Sequence, residues 1–293
     1  MVILMKYDLI NACSDLGVHV NGTENGPKCI SNGYDSDENI NNIINIEKDN
    51  INKSLDKNDK EKNLLWVNGF NERLYNTILD SISKNIFPIT LGGDHSVVIA
   101  SALASMYKHE NLGIIWIDSH GDYNNFLTTI SGNIHGLPFA AITNYSETQK
   151  LTYFHKGNFY DSKKSVLVGA RDLDELEIEN LKDAGITIFT TEDIKKYGVN
   201  YVMDNAFKIA LNNTNGVHIS YDLDVIDPTF APGVSIPASK GINIEEAYEI
   251  MEEIIKNKKV IKSLDLVEYN PLKDTDNKTL DIAKDLLNKF VEN

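Results

Sequence analysis

The stretch that decides the fold is IIWIDSHGDYN, residues 114–124. Four large apolar residues, Ile114 to Ile117, lead directly into Asp118, Ser119, His120, Gly121 and Asp122. A short apolar run rich in β-branched and aromatic residues indicates a strand buried in a parallel sheet. Burying two carboxylates and an imidazole at the end of such a strand is costly unless something pairs them. These charges therefore require a partner.

Strand and helix patterns alternate over most of the 293 residues. We predict strands in the opening MVILMKYDL and at 87–93, 113–118, 165–171, 186–189, 216–224 and 260–268. Helical spacing of apolar residues predicts helices at 71–85, 96–108, 174–185, 201–213, 244–257 and 279–293. This alternation predicts a three-layer α/β/α fold with a mostly parallel sheet, in which sites form at the carboxyl ends of the strands.

No repeat or linker divides the chain, so we expect residues 1–293 to form a single domain. Residues 37–63 differ from the rest because they consist almost only of Asn, Asp, Lys, Glu and Ile. Such low-complexity composition indicates a surface excursion, mobile or partly helical, without chemistry of its own.

Composition limits the partners and the compartment. A net charge of −15 argues against nucleic acid and anionic membranes as partners, because both would repel the chain. Cys13 and Cys29 form no CxxC pair and are expected to be free thiols in a reducing compartment. No segment approaches the ~18 apolar residues of a membrane span, and the opening stretch is too soon charged for a signal peptide. We therefore expect a cytoplasmic protein.

Four predicted strand ends carry clusters of acids or imidazoles: GGDHS at 92–96, DSHGD at 118–122, DLD at 222–224 and DLVE at 265–268. The candidate metal ligands among them are His95, Asp118, His120, Asp122, Asp222 and Asp224. Oxygen and imidazole donors without thiolate suit Mn²⁺ better than structural zinc. Four carboxylates balance two divalent cations, so we predict two Mn²⁺ per chain with a water between them that ionises near neutral pH.

The local spacing adds detail to this prediction. In Asp222-Leu223-Asp224, the period of two in a strand places both carboxylates on one side. In residues 118–122 the same alternation holds if the chain stays extended, whereas a turn at Gly121 would let Asp122 fold back. For any one of these acids or histidines taken alone, a helix cap or a hydrogen-bonded core residue is the simpler explanation. The coincidence of six such residues at the strand ends favours the metal site.

Together these motifs resemble the ureohydrolase family, which comprises arginases, agmatinases and formimidoylglutamases. The motifs GGDHS, DxHxD and SxDxDxxDPxxAPG occur in the order and at the spacing of that family, and the resemblance covers about residues 22–271. It implies an arginase-like fold and a hydrolase acting on linear amidines.

The resemblance also implies roles for the ligands. His95, Asp118, Asp122 and Asp222 would hold one Mn²⁺, and His120, Asp118, Asp222 and Asp224 the other. A hydroxide bridging the metals would attack the guanidinium carbon, with Asp122 orienting it. Glu268 matches the glutamate that pairs with the guanidinium, for which a bidentate carboxylate is the expected partner.

The segment after Asp122, YNNFLTTISGNIHG at 123–136, is similar to the arginase stretch that recognises the amino acid head group. The resemblance assigns head-group contacts to Asn124, Thr129, Ser131 and Asn133, and makes His135 the proton-shuttling histidine. In GARDLDELE at 169–177, Asp174 matches the residue that reads the α-amino group, and Glu177 a nearby acid. L-Arginine, hydrolysed to L-ornithine and urea, is therefore the expected substrate.

One position departs from the family pattern. After Asp224 the chain reads VIDPTFAPGVSIPASKG, with Ser235-Ile236 where family members usually have Gly-Thr. Ile236 cannot form the hydrogen bond that a threonine hydroxyl offers beside the guanidinium, although Ser235 could partly compensate if the loop shifts. Ser119 and Gly121 are smaller departures at positions that are not ligands.

Three hypotheses follow from these residues. The first is a two-manganese arginase. The second is an agmatinase, a formimidoylglutamase or another guanidino-compound ureohydrolase, and it rests on Ile236 and the unusual N-terminal region. The third is a metal-loaded, catalytically weak protein with a structural or regulatory role. The resemblance further implies a homo-oligomer, a trimer or hexamer.

Overall fold

One parallel sheet runs through the chain. In the computed structural model, which describes residues 5–56 and 58–293, the strands are β1 (Tyr7–Cys13), β2 (Ile40–Glu47), β3 (Phe87–Gly92), β4 (Gly113–Ile117), β5 (Ser165–Ala170), β6 (Thr187–Thr190), β7 (Val217–Asp222) and β8 (Ile261–Val267). Their spatial order is β2-β1-β3-β8-β7-β4-β5-β6, and each neighbouring pair is parallel. The sheet of these residues is thus parallel throughout, and residues 1–4 of the predicted first strand lie outside the described part.

Helices cover both faces of this sheet. They are α1 (Gly26–Ser31), α2 (Leu64–Ser83), α3 (Val98–His109), α4 (Pro138–Ile142), α5 (Glu175–Ala184), α6 (Thr191–Tyr197), α7 (Val199–Ala210), α8 (Ile244–Lys256) and α9 (Lys278–Glu292). One apolar core contains side chains of α1 and α6 to α9, and a second core contains side chains of α2 to α5. The predicted three-layer α/β/α class is confirmed.

Strand β4 shows why its sequence is apolar at every position. Ile115 and Ile117 belong to one core, and Ile114 and Trp116 belong to the other. All four are fully buried, because successive side chains of a strand point to opposite faces and both faces carry helices. The apolar run is therefore continuous because the sheet lies between two layers of helices.

The interpretation of residues 37–63 as mobile or partly helical is wrong for its first half. Residues Ile40–Glu47 form β2, which extends the sheet beyond β1 at the edge. Only Ile46 of this strand is buried, since an edge strand that is covered on one side needs few apolar residues. The Asn-rich composition conceals this strand because it lacks a continuous apolar run.

Smaller differences concern element ends. Helix α2 begins at Leu64, seven residues before the predicted start at 71, while α8 was predicted to within one residue. Cys13 and Cys29 are free cysteines. Within residues 5–56 and 58–293, no helix has both the length and the apolar character needed to cross a membrane.

Candidate active site

The predicted metal ligands lie at the carboxyl ends of three central strands. His95 follows β3, Asp118 and the next residues follow β4, and Asp222 ends β7. In the sheet order β3 and β7 flank β8, and β4 lies beside β7. Residues more than a hundred positions apart in sequence therefore meet at one edge of the sheet, where parallel sheets form their sites.

His95 faces three carboxylates at once. Its Nδ1 atom lies 3.1 Å from Asp118 Oδ2, 3.0 Å from Asp122 Oδ2 and 2.9 Å from Asp222 Oδ2. The imidazole and all three carboxylates are buried. These contacts are close but do not have hydrogen-bond geometry, so neither His95 Nδ1 nor Asp122 Oδ2 has a hydrogen-bond partner among the described residues. Unpaired donor atoms that converge on one point are expected where a cation binds.

The orientation of the His95 ring is fixed by its other contacts. Its Nε2 atom lies 2.9 Å from the Ser220 hydroxyl, and the ring stacks on Trp116 with centroids 4.2 Å apart. The Trp116 indole in turn donates to Asp118 Oδ2 at 3.0 Å. A partner on the second ring nitrogen sets which nitrogen faces the carboxylates, as is usual for histidine ligands of metals.

A second group of ligand atoms lies around His120. Its Nδ1 atom is 2.9 Å from Asp224 Oδ2 and 3.5 Å from Asp118 Oδ1. The Ser119 hydroxyl donates to the other Asp224 oxygen at 2.7 Å. Two ligand triads result, His95-Asp118-Asp122 and Asp118-His120-Asp224, which share Asp118 through its two oxygens. This geometry allows a metal on each side of Asp118.

The electrostatics of the cluster favour a bound cation. Burial raises the pKa values of Asp222 and Asp224, and burial together with the Asp118 carboxylate raises the pKa of Asp122 to about 6. Although burial lowers it, the pKa of His95 is raised well above its ordinary value by the surrounding carboxylates. Clustered acids that repel one another in this way are stabilised as anions by divalent cations. The donor set therefore fits a metal site.

Two backbone predictions at this site need correction. Strand β7 ends at Asp222, and Leu223–Val225 form a 3₁₀ turn in which Asp222 accepts a hydrogen bond from the Asp224 N–H. Strand alternation therefore does not place Asp224. At the other cluster the left-handed residue is Asp122, with φ of 48°, and not Gly121. Gly121 has a different requirement, since a Cβ there would lie 2.5 Å from the Glu177 carboxyl carbon.

Glu268 lies immediately after β8 and also has a left-handed backbone, with φ of 68°. Its Oε1 atom accepts a hydrogen bond from the His95 N–H at 2.8 Å and lies 3.1 Å from His135 Nδ1. Its Oε2 atom is buried and has no hydrogen-bond partner among the described residues. Burial alone would lower the pKa of His135, but the hydrogen bond with Glu268 raises it above its ordinary value.

The six predicted metal ligands, His95, Asp118, His120, Asp122, Asp222 and Asp224, are called the ligand cluster. A cleft of about 320 Å³ opens beside it. Its lining includes every predicted head-group residue, Asn124, Thr129, Ser131, Asn133, Asp174 and Glu177, together with His135. Asn124 donates to Asp174 Oδ2 at 3.0 Å. Glu177 caps α5 and accepts from the backbone N–H groups of Tyr123 and Asp174, so both of its oxygens are engaged.

The cleft also contains residues that the sequence did not indicate as site residues. His19 lines it and lies 2.8 Å from the Asn133 side-chain nitrogen, and Asp172 stands at the rim. No local motif marks His19, because only the tertiary fold brings its loop to the cleft. Ile236 lines the cleft as well, whereas the Ser235 hydroxyl is buried and accepts from Asn270 at 3.0 Å. Ser235 is not part of the cleft lining in this position, so its hydroxyl does not take the place of the threonine hydroxyl.

Comparisons with known proteins agree with this geometry. The sequence model described as the Arginase family matches residues 6–291. An arginase of Staphylococcus aureus (strain COL) is 34% identical over 292 residues, which cover 97% of this chain and 96% of that protein. An arginase of Brevibacillus brevis is 41% identical over 221 residues, 74% of this chain and 72% of the relative. The native structure of Bacillus caldovelox arginase at pH 5.6 superposes with a TM-score of 0.91 at 31% identity, covering 99% of both chains.

Proposed function

Because this chain belongs to the arginase family, we propose that it is a manganese-dependent arginase that hydrolyses L-arginine to L-ornithine and urea. One observation carries the proposal. A cluster of four carboxylates and two imidazoles, buried except for the half-buried His120, adjoins a cleft whose wall is built from the Asn, Thr and Ser side chains of residues 124–133. The first part suits activation of water, and the second suits an α-amino acid.

Six side chains would hold two Mn²⁺: His95, Asp118, His120, Asp122, Asp222 and Asp224. When bound, the two cations supply the Lewis acidity that activates water as a nucleophile at neutral pH. The absence of thiolate and the dominance of carboxylate oxygen support manganese as the metal. Asp118 would be shared, because its two oxygens face different histidines.

Glu268 would bind the guanidinium group. Its free Oε2 atom can accept a guanidinium N–H, while the hydrogen bond from the His95 N–H holds Oε1 in place. A carboxylate is the natural acceptor for the planar fork of guanidinium donors. This contact would fix the guanidinium carbon next to the ligand cluster.

Asp122 and His135 would take part in the proton transfers of the reaction. Asp122 can accept a hydrogen bond from the attacking water, since its Oδ2 atom has no partner among the described residues. The Nδ1 atom of His135 is engaged with Glu268, so its Nε2 atom would deliver a proton to the leaving amine as the carbon–nitrogen bond breaks. The raised pKa of His135 favours the protonated form that this step needs.

Asn124, Thr129, Ser131 and Asn133 would contact the α-carboxylate and α-amino groups, with Asp174 receiving the ammonium. Glu177 would act mainly as support, because both of its oxygens hold backbone N–H groups. Agmatine lacks the α-carboxylate, so an agmatinase has no need of this polar wall.

A second candidate function is favoured by Ile236. An apolar side chain lines the cleft where a hydroxyl is the usual family residue, and Ser235 does not replace it. The enzyme would then act on another guanidino or formimino compound. A protein that binds metal but catalyses weakly is the third outcome.

A panel assay for urea or formamide release separates these functions. The protein, loaded with Mn²⁺, is incubated with arginine, agmatine, guanidinobutyrate and formimidoylglutamate. The highest kcat/KM for arginine is the expected result. Turnover of agmatine but not arginine would refute the arginase proposal, and no turnover with both metals bound would favour the third outcome.

We further infer a cytoplasmic homo-oligomer, either a trimer or a hexamer. The family resemblance supports this inference. Size-exclusion chromatography with light scattering distinguishes both assemblies from a monomer of 32.8 kDa.

A further inference from the structure

The loop of residues 127–133 forms one wall of the cleft, but its apolar side chains do not anchor it. Leu127 is 76% exposed and Ile130 is 70% exposed, so neither packs into a core. The loop also lies outside the named strands and helices. Polar contacts hold it instead. Thr128 is hydrogen-bonded to Asn124 and Asn180, and further contacts come from a part of the chain to which the sequence assigned no role.

That part is the segment of residues 48–56 and 58–63, here called the brace. Lys62 is only 3% exposed, and its ammonium group donates to the Ser131 carbonyl oxygen at 2.5 Å. The backbones are also in contact, because a Cβ on Gly132 would lie 2.6 Å from the Asp59 carbonyl oxygen. Gly132 has φ of 67°, a conformation that favours glycine. The brace and the loop thus fit against each other closely.

The same segment also holds the loop that carries His19. The Lys53 ammonium lies 2.9 Å from Asp15 Oδ2 and donates to the carbonyl oxygens of Val18 and Val20, each at 3.0 Å. The two loops meet through His19, whose Nδ1 atom lies 2.8 Å from the Asn133 side chain. Both loops that face the substrate head group are therefore tied, through backbone carbonyls, to lysines of one segment.

We propose that the brace positions the head-group wall of the cleft and that Lys62 is the positioning residue that sets affinity for the α-amino acid end of the substrate. The inference rests on the proposed function, because it assigns the head group to this wall. Lys62 acts through Ser131 and does not touch the reacting atoms. Its removal leaves the half-buried Ser131 carbonyl oxygen without this donor, and the loop must move or admit water to satisfy it.

The test compares Lys62→Met with Lys60→Met. Lys60 is the matched control, because it donates to the adjacent carbonyl oxygen, that of Ile130, at 2.7 Å but from an exposed position where water can replace it. With arginine, Lys62→Met should raise KM about tenfold and leave kcat within about twofold, the result expected when binding common to ground and transition states is lost. Lys60→Met should leave both constants near those of the natural protein. Lys62→Arg, which keeps a charged donor, should restore much of the affinity.

Amide hydrogen exchange of residues 127–133 tests the brace without any substrate. Faster exchange in Lys62→Met but not in Lys60→Met is expected, and equal exchange in both variants would overturn the proposal. An unchanged KM for arginine in Lys62→Met would overturn it too. If the natural protein does not turn over arginine, the proposed function fails while the exchange experiment still decides on the brace. Lys62→Gln, whose shorter and uncharged amide is a weaker donor, gives the same comparison if the methionine variant does not fold.

Discussion

Replacing Glu268 by glutamine is the most direct test of the guanidinium site. The change removes a charge and keeps the shape of the side chain. In the natural protein, Oε1 accepts from the His95 N–H and faces His135 Nδ1, and Oε2 is buried without a partner among the described residues. Glutamine can retain the bond from His95 through its carbonyl oxygen. Its amide nitrogen then takes the position of Oε2 and presents donors to the donors of the guanidinium.

The size of the loss follows from this arrangement. A hydrogen bond to a charged group contributes about 1.5–3 kcal/mol, and each 1.4 kcal/mol changes an equilibrium or rate constant about tenfold. We therefore expect Glu268→Gln to lower kcat/KM for arginine by about 10- to 150-fold. The ligand atoms of the cluster are not altered, so two Mn²⁺ should still bind.

Urea release at several arginine concentrations measures kcat/KM, and elemental analysis of the dialysed variant measures the metal. Glu253→Gln is the matched control, because Glu253 is also a buried glutamate but lies in α8, where it pairs with Lys256. A Glu268→Gln enzyme with kcat/KM within about threefold of the natural value would refute the assignment. Loss of metal in this variant would show that Glu268 supports the metal ligands. The lower kcat/KM would then reflect the missing metal and would not measure guanidinium binding.

Three further perturbations test other parts of the site. Removal of metal by a chelator should lower the melting temperature. Adding Mn²⁺ at about 100 times its dissociation constant should restore about 2.7 kcal/mol of folding stability. An unchanged melting curve would contradict the prediction that the site binds metal. Gly121→Ala forces a methyl group against the Glu177 carboxyl and should destabilise the fold by about 1–3 kcal/mol in urea unfolding, whereas an unchanged midpoint would show that the neighbour moves freely. Ile236→Thr should raise kcat/KM for arginine by up to about tenfold if the missing hydroxyl matters, and no rise would disprove that account of the substitution.

The fold was predictable where a single physical rule governs the sequence. Strand β4 is apolar throughout because helices cover both of its faces, and this pattern also marks β3 and β5. Helix α8 was predicted from its apolar spacing, and a capping box of Asn243 with Glu246 fixes its start at the predicted residue. Strand β2 was missed because an edge position does not require continuous apolar residues.

The candidate site was predictable as a set of residues but not as a geometry. Acids and imidazoles at strand ends indicated the ligand cluster, since the carboxyl ends of parallel strands meet at one edge. Strand alternation did not indicate the 3₁₀ turn after Asp222, which is closed by a local hydrogen bond from the Asp224 N–H to the Asp222 side chain. The glycine at 121 did not indicate the left-handed backbone of Asp122. His19 was missed because only the tertiary fold brings its loop to the cleft.

Strands β7 and β8 contain a Ser–His–Asp array which shows that residue geometry alone does not identify an active site. His218 Nδ1 lies 2.6 Å from the Ser263 hydroxyl, and its Nε2 atom lies 2.8 Å from Asp265. The spacing resembles that of a hydrolytic triad. Every member is at most 1% exposed, and Asp265 accepts a further hydrogen bond from Ser101 in α3. The array thus joins helix to sheet inside the core.

The separate construction of the two halves of the cleft has a consequence for protein engineering. The predicted metal ligands lie at the ends of the central strands, whereas the wall that we propose for the head group consists of loops tied at their backbones by Lys53 and Lys62. Backbone ties do not depend on the side chains that the loops present. Libraries that vary residues 127–133 while keeping both lysines should therefore yield new substrate ranges with the hydrolytic chemistry retained.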